Sequence, residues 1–420
     1  MATHPSAGVS GTPDGAATDR GLLPIAASLE PLISRHADHL ETARRMPDEL
    51  VDALYSSGVF RAFTPRELGG LEVDLLEWMD LIEELSRING SVGWNAFINA
   101  GQTSLRPDTM RKILARERWI VAGNVGRAAG AAHRVQGGYR ISGRWPFTSG
   151  APFATHLSVL SHVHDERDEP VLDAATGAPT PVLAVVHRSL VTIHDTWDGL
   201  GLRGTASVDV ELRDLFVPDE YVTQSLLGGP YRGPLFRGLF FILMGHAAHA
   251  LGIARCAIDA FVELVRAAQA RPARGSRRQA RLGQQQVHQI AVASAESLVR
   301  SARLFAWDAA GQAWSRALAG EPIEERDRVL MAQSLIHSVR SAKEAVGLLF
   351  EQAGTSGVYR GRTLERCYRD IATAAQHTLV VETSYDTIGQ YYLTKDLPDG
   401  PQVGPGVVMP AAEAQPSGQE

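Results

Sequence analysis

The feature that most constrains what this chain can fold into is a double switch in the spacing of its apolar residues, from helical to alternating and back to helical. Over residues 22 to 119 the spacing is helical: Leu50, Val51, Leu54 and Tyr55 recur with it, Pro47 suits a first turn and Gly58 a C-terminal cap. A second helix there starts at Asp74, a good N-cap, carries Leu75, Met79, Ile82 and Leu85 on one face, and is stopped by Asn89 and Gly90. Over residues 120 to 233 the period becomes two. Val135, Tyr139 and Ile141 flank the turn residues Gly137 and Gly138, and Val208, Val210 and Leu212 alternate with polar neighbours up to Pro218. The segments VLAVVHR and VTIHDTW add β-branched strands. Over residues 234 to 395 helices return, each of roughly 25 to 30 residues by periodicity. Met244, Leu251, Ile258 and Phe261 mark the first; Val287, Ile290, Ala291 and Leu298 the second; Leu335, Val339, Val346 and Leu349 the third; Ile371, Ala374 and Thr378 the fourth. The pattern predicts an α+β chain with an N-terminal helical domain, a central β-domain and a C-terminal four-helix bundle, between disordered tails at residues 1–21 and 396–420.

Composition narrows the function classes. At 420 residues the chain exceeds what one hydrophobic core organises, and 44% hydrophobic with 21% charged residues is ordinary for a globular enzyme. A net charge of -6 gives no long-range attraction for nucleic acid or an anionic membrane. The two cysteines, Cys256 and Cys367, sit in no CxxC or metal-ligand spacing, so a disulfide framework is not expected and a reducing cytoplasm is the simplest location. The first residues lack the basic and apolar regions of a signal peptide. The most apolar stretch, from Gly238, is interrupted by His246, His249, Arg255 and Asp259, which fits a buried core helix better than a membrane span.

Several apparent motifs do not hold up. Gly199, Gly201 and Gly204 in GLGLRG fit G-x-G-x-x-G, but strand-like TASVDVELRDLFVP follows where a dinucleotide site needs a helix, so a tight β-loop is expected. His162 with His164, His246 with His249 and His36 with His39 lack the carboxylate or cysteine partners of a metal site, and no metal is expected. Neither a GxSxG elbow nor a GxxxxGK loop is present.

What does stand out is an ordered set of segments: ISGRWPFTSG at residues 141 to 150, then WDGLGLRGTASVDVELRDLFVP, ALGIARCAIDAF and LERCYRDIATAAQH. In these the chain resembles the acyl-CoA dehydrogenase superfamily, over nearly its whole length apart from the tails. The resemblance implies an acyl-CoA dehydrogenase-like fold, usually a homotetramer, with a flavin between the β-domain and the bundle. It places Phe147, Thr148 and Ser149 beside the isoalloxazine, with the Ser149 hydroxyl near flavin N5. A hydroxyl is suited there, because it can donate or accept as N5 changes redox state. On turn chemistry alone, Ser149 also reads as a turn residue before Gly150.

Within that superfamily the choice lies between desaturation and oxygenation. A dehydrogenase needs a carboxylate base, yet RDIATAAQHTLVV has none between Asp370 and Glu382, and GLFFILMGH, the other family location, has none either. The patterns GRWxFxSG, residues 143 to 150, and RDxxxxxQH, residues 369 to 377, are similar to those of the two-component flavin-dependent monooxygenases, the hydroxyphenylacetate hydroxylase and dibenzothiophene monooxygenase group. That implies reduced FAD or FMN delivered by a separate NAD(P)H-dependent flavin reductase, dioxygen as co-substrate and a C4a-(hydro)peroxyflavin, with His377 and Ser149 catalytic. Histidine suits such a role because its charge changes near working pH; by itself His377 also reads as a structural bundle histidine. Where several of these oxygenases place a histidine near the substrate, this chain has Gln102, which cannot be a general base but can hydrogen-bond a small aromatic or heteroatom-containing substrate. Trp94 and Asn99 are candidates for the same pocket. Arg281 reaches a flavin phosphate across a subunit interface by resemblance, and reads equally as a surface cation after the Arg-rich stretch from Arg271 to Arg278. The competing expectation is an acyl-CoA dehydrogenase or oxidase with a displaced base.

Overall fold

The structure is a computed structural model that describes residues 21–124, 128–174, 177–224, 229–238, 240–270, 286–380 and 385–394. The predicted tails, apart from Gly21, and Arg281 lie outside the described residues.

Among the described residues six α-helices come first: α1 (Leu23–Arg35), α2 (Ala37–Ala43), α3 (Asp48–Ser56), α4 (Leu75–Ile88), α5 (Gly90–Ile98) and α6 (Pro107–Leu114). Asp74 caps α4 as its position predicts. Its Oδ1 accepts from the N–H groups of Leu76 and Glu77 at 2.9 and 3.3 Å, while Oδ2 accepts from Trp314 Nε1 at 2.7 Å and ties the cap to the bundle. Asn89 ends α4, and its Oδ1 also accepts from the N–H groups of Ser91 and Val92 at 3.0 and 3.3 Å. The stop signal is therefore a restart, and it launches α5, a helix buried on every side up to Phe97.

Eight strands follow: β1 (Val121–Asn124), β2 (Gly130–Val135), β3 (Gly138–Thr148), β4 (His156–His164), β5 (Pro181–His187), β6 (Thr192–His194), β7 (Val208–Pro218) and β8 (Val222–Thr223). They form one sheet in the order β6-β7-β3-β2-β4-β5-β8, with β1 paired parallel to β4. The alternation predicted from sequence is observed on β7, where Val208, Val210 and Leu212 point into the sheet core beside Ile141 and Trp145.

The remaining helices are α7 (Phe240–Leu243), α8 (Gly245–Ala270), α9 (Gln286–Ala319), α10 (Glu325–Ala353), α11 (Thr363–Ala374) and α12 (Tyr385–Thr394). The helix Phe240–Ala268 is long and apolar enough to cross a membrane, but 83% of its most apolar window is packed inside the protein. The residues expected to mark the first and third bundle helices are buried. The second differs. Val287 and Ile290 are 52% and 54% exposed, whereas Ala291 is buried and Leu298 packs half-buried against the core as expected; α9 faces inward mainly through alanines, from Ala291 and Ala295 to Ala313 and Ala317, together with Val299 and Trp314. Alanine is compatible with either environment, so at the start of this helix Val287 and Ile290 pointed to the wrong face. The fourth helix, α11, has 12 residues instead of 25 or more and ends at Ala374, which leaves His377 and exposed Thr378 in the turn that follows.

The GLGLRG segment is the β-loop its context predicts, lying between β6 and β7. It is fastened to α11: Leu202 N–H donates to Asp370 Oδ1 at 2.6 Å, Gly201 N–H to Thr373 Oγ1 at 2.9 Å, and Arg369 Nη1 to Leu200 O at 2.9 Å. Gly201 is required by closeness, since a Cβ there would lie 2.2 Å from Arg369 O, a backbone atom with no freedom to yield. Gly201→Ala is therefore expected to destabilise the protein by about 1–3 kcal/mol. Gly347→Ala, on α10 with nothing near its Cβ, is expected to stabilise it by roughly 0.5–1 kcal/mol; denaturant midpoints of the two variants check the contrast.

Candidate functional site

The site begins with an irregularity in β3. The register with β7 shifts between Trp145 and Thr148, and Phe147 takes a left-handed backbone with φ 56°. The buried Trp145 side chain anchors the near side of this bulge, its Nε1 donating to Leu160 O at 2.6 Å. The bulge sends Phe147 outward, 65% exposed and edge-on to Trp197 with centroids 6.4 Å apart. It sends Ser149 inward, where 4% of its surface remains exposed. Thr148 is also buried, with its hydroxyl donating to Trp145 O at 3.3 Å.

Ser149 meets α5. Trp94 Nε1 donates to Ser149 Oγ at 3.0 Å, and Ser207 Oγ lies 2.7 Å away on the other side. Ser207 Oγ is in turn 2.7 Å from Thr205 Oγ1, which donates to Leu202 O at 2.8 Å. Asn99, fully buried just past α5, packs on the next residue: a Cβ at Gly150 would lie 2.5 Å from Asn99 Nδ2. Its amide donates to Asn95 Oδ1 at 3.4 Å, and its Oδ1 is buried with no partner among the described residues.

The other face of Trp94 is covered by imidazoles. Ring centroids lie 5.3 Å away for His246, 5.2 Å for His249 and 5.8 Å for His377, and His246 and His377 are 4.4 Å apart. The turn after α11 fixes the tautomer of His377: Leu379 N–H donates to Nδ1 at 3.3 Å, so the ring proton sits on Nε2. On His249, Nε2 is 2.9 Å from Gly90 O and therefore carries the proton, leaving Nδ1 as a buried acceptor. Loss of hydration pulls His377 and His249 down to about 4 and His246 well below the usual range. All three rings are neutral at pH 7. The site thus holds an oxygen acceptor on one side of Trp94 and a neutral N–H donor on the other, in a setting largely shielded from water.

Gln102 lies apart from this cluster, in an adjoining cleft of about 100 Å³ lined mainly by Phe63, Trp119, Leu235, Phe236 and Ile242. Its Nε2 donates to Ile98 O at 3.0 Å, which leaves Oε1 as a buried acceptor without a partner among the described residues. The structure therefore gathers Trp94, Asn99, Ser149 and His377, sets Phe147 at the outer edge, turns the Thr148 hydroxyl into the sheet and keeps Gln102 in the neighbouring cleft. Asp370 is no free base: it is buried, pushed up to about 6 by desolvation, and engaged with Leu202.

His246, His249, Thr205 and Ser207 escape the sequence reading. The two histidines carried a usable signal, since polar rings in the most apolar helix are costly and need a reason to be there. Treated as a metal pair they lead nowhere; among the described residues no group of His, Cys, Asp or Glu is arranged to hold a metal. Thr205 and Ser207 carried no signal, because only the folded loop brings them behind Ser149.

Comparison with known proteins shows the family of the chain. A family model described as acyl-CoA dehydrogenase, N-terminal domain, matches residues 25–106, and one described as acyl-CoA dehydrogenase, C-terminal domain, matches residues 244–382. The chain is similar to an indole-3-acetate monooxygenase from Pseudomonas putida, 31% identical over 84% of this chain and 88% of the relative. It is also similar to the oxygenase component of an FADH2-dependent resorcinol hydroxylase from Rhizobium sp., 28% identical over 86% of this chain and 90% of the relative. The structure of XiaF from Streptomyces sp. in complex with FADH2 and glycerol shares the fold, with a TM-score of 0.79 at 23% identity over 89% of this chain and 94% of the other.

The neutral rings set the response to acid. A histidine lowered on folding binds its proton more readily in the unfolded chain, so its stabilising effect is complete above about pH 6.5 and is lost as pH falls toward 4. Asp370, raised on folding, works in the opposite sense, adding stability as pH falls from about 6 toward 3.8. In urea titrations between pH 6.5 and 4, His249→Gln is expected to flatten the loss of stability and Asp370→Asn to steepen it.

Proposed function

The chain belongs to the acyl-CoA dehydrogenase superfamily and to its flavin-dependent monooxygenase branch, and on that footing we propose that it inserts one atom of dioxygen into a small aromatic or heteroatom-containing substrate. It does so as the oxygenase component of a two-component system, taking reduced FAD or FMN from a separate NAD(P)H-dependent flavin reductase. The relatives named as oxygenase component or oxygenase subunit support that division of labour. The observation that carries the reading is that the Ser149 hydroxyl and the His377 ring both lie against Trp94, largely out of water.

The residues fit a flavin. Polar atoms with spare hydrogen-bonding capacity lie at the inner end of the 147–149 segment, and an exposed aromatic ring lies at its outer end, matching a flat ring system with one polar edge. When bound, reduced flavin supplies the electrons that activate dioxygen. Phe147 gives the ring an apolar neighbour, Thr148 contributes backbone, and Ser149 makes the polar contact. Arg281 keeps the phosphate contact that the resemblance implies.

His377 holds its proton at Nε2 while neutral, so it serves as a hydrogen-bond donor to negative charge developing in the pocket, with no need to ionise first. His246, packed against it, helps exclude water and disfavours a cation there. Gln102 Oε1 accepts a hydrogen bond from a substrate N–H or O–H, and the aromatic walls of its cleft take the ring. Trp94 and Asn99, packed beside Ser149 and Gly150, form the wall that the substrate meets. A dehydrogenase with a displaced base is not favoured: residues 240 to 246 contain no carboxylate, and Asp370 is committed to Leu202.

The proposal includes a homotetramer. Ile290, Leu304 and Leu318 are exposed on α9 at intervals of 14 residues, which puts them on one helical face, as a subunit contact requires. A cytoplasmic location completes it, in keeping with the free thiols of Cys256 and Cys367.

With NADH, a flavin reductase and 18O2, the protein is expected to incorporate one labelled atom into a probe such as indole-3-acetate or resorcinol, read by mass spectrometry. No labelled product from a panel of small aromatics, with unaltered oxidation of free reduced flavin, would count against the reading. His377→Ala is expected to lower product formation by about 100-fold or more and divert electrons to hydrogen peroxide. Leu304→Glu with Leu318→Glu is expected to reduce the assembly to smaller species, read by light scattering after gel filtration.

A further inference from the structure

The hydroxyls behind Ser149 form a line whose direction follows from counting protons. A hydroxyl has one proton and two lone pairs, and a carbonyl oxygen can only accept. The Thr205 proton is therefore spent on Leu202 O, 2.8 Å away. In the 2.7 Å contact between Ser207 and Thr205, Ser207 must then donate. In the 2.7 Å contact between Ser149 and Ser207, Ser149 must donate. Trp94 Nε1, a donor only, takes one of the two Ser149 lone pairs. What Ser149 presents to the pocket is one remaining lone pair and no proton.

The end of the line is firmly held. Leu202 has a left-handed backbone, its N–H is bound by Asp370, and its carbonyl takes the Thr205 hydroxyl as its shortest contact at 2.8 Å, with Thr205 N–H and Trp197 Nε1 sharing the remaining lone pair at 3.1 Å each. Ser149, Thr205 and Ser207 are all buried, so water does not compete for these bonds.

We infer that Thr205 and Ser207 are positioning residues that hold Ser149 as an acceptor and so make the site select reduced over oxidised flavin. The inference rests on the flavin reading given above. Reduced flavin carries a proton at N5, whereas oxidised flavin carries a lone pair there. An acceptor facing the first gains a hydrogen bond; facing the second, it leaves two lone pairs opposed, a difference of about tenfold to a hundredfold in affinity. The sequence alone allowed Ser149 to switch between donating and accepting; the line behind it removes that switch. A protein built this way accepts reduced flavin from a partner and lets the oxidised form go.

Dissociation constants test this, measured for FMN and FAD by absorbance titration when oxidised and by anaerobic ultrafiltration when reduced with dithionite. The wild type is expected to bind the reduced form at least about tenfold more tightly. Ser207→Ala or Thr205→Val frees the Ser149 proton to turn toward the pocket. In either variant the ratio is expected to fall about tenfold, mainly through tighter oxidised flavin, which is a shift of about 30 mV in the two-electron potential of the bound flavin. Thr205→Ser, which keeps the hydroxyl, is expected to retain the wild-type ratio. Equal affinities in the wild type, or an unchanged ratio in folded Ser207→Ala and Thr205→Val, overturns the inference. Ser149→Ala separates the two levels. If it changes the ratio while the other variants do not, the flavin reading stands and the directed line falls. If it leaves both affinities unchanged, or if the wild type binds neither form, both fall together.

Discussion

The peptide unit of Leu202 is the point on which the rest of the structure turns. Its N–H is given to Asp370 on α11 and its carbonyl gathers the Thr205 hydroxyl and the Trp197 indole, so one residue of a sheet loop is held by the bundle on one side and by the site on the other. The strand-to-helix interface is thereby set by hydrogen bonds with defined direction, where apolar packing alone would tolerate sliding. Asp370 is kept from ordinary carboxylate behaviour by burial, and Arg369 is drawn into ion pairs with Glu41 and Glu365 at 2.8 and 2.5 Å. In the dehydrogenase reading this stretch of α11 would sit next to a catalytic base; here its charged residues brace the loop.

The proposed chemistry depends on dehydration as much as on any single group. Trp94 separates the Ser149 hydroxyl from three imidazoles, and burial keeps those rings uncharged. A neutral donor at His377 is available without a prior protonation event, and a low-dielectric surrounding strengthens what it does. The helix that supplies His246 and His249 is apolar and mostly buried, so the same segment provides the dry wall and the polar atoms set in it.

Much of this was legible from the chain. The alternation of helix and strand periods, the Asp74 cap and the inward-facing residues of β7 follow from local rules that the fold obeys. The segments around Ser149 and His377 were recognisable from residue order, and the structure brings both to Trp94. Other features were not legible, for identifiable reasons. The inward face of α9 is mostly alanine, which gives hydropathy little contrast, so Val287 and Ile290 misled. The end of α11 four residues before Thr378 reflects a turn stabilised by His377 N–H donating to Ala374 O at 3.2 Å, and periodicity does not register it. Thr205 and Ser207 acquire their role only from the left-handed conformations of Leu202 and Ala206, which no local propensity favours.

The glycine loop has a bearing on how such a protein can diversify. A side chain at Gly201 would strike the backbone of Arg369, and one at Gly204 would crowd Leu40 and Ser91, so this loop is closed to variation from both sides. Phe63, Gln102 and Phe236 lie instead along a cleft whose walls take no part in that clasp. Substitutions along that cleft can reshape it without disturbing the loop, whereas a side chain added in the loop pushes sheet and bundle apart.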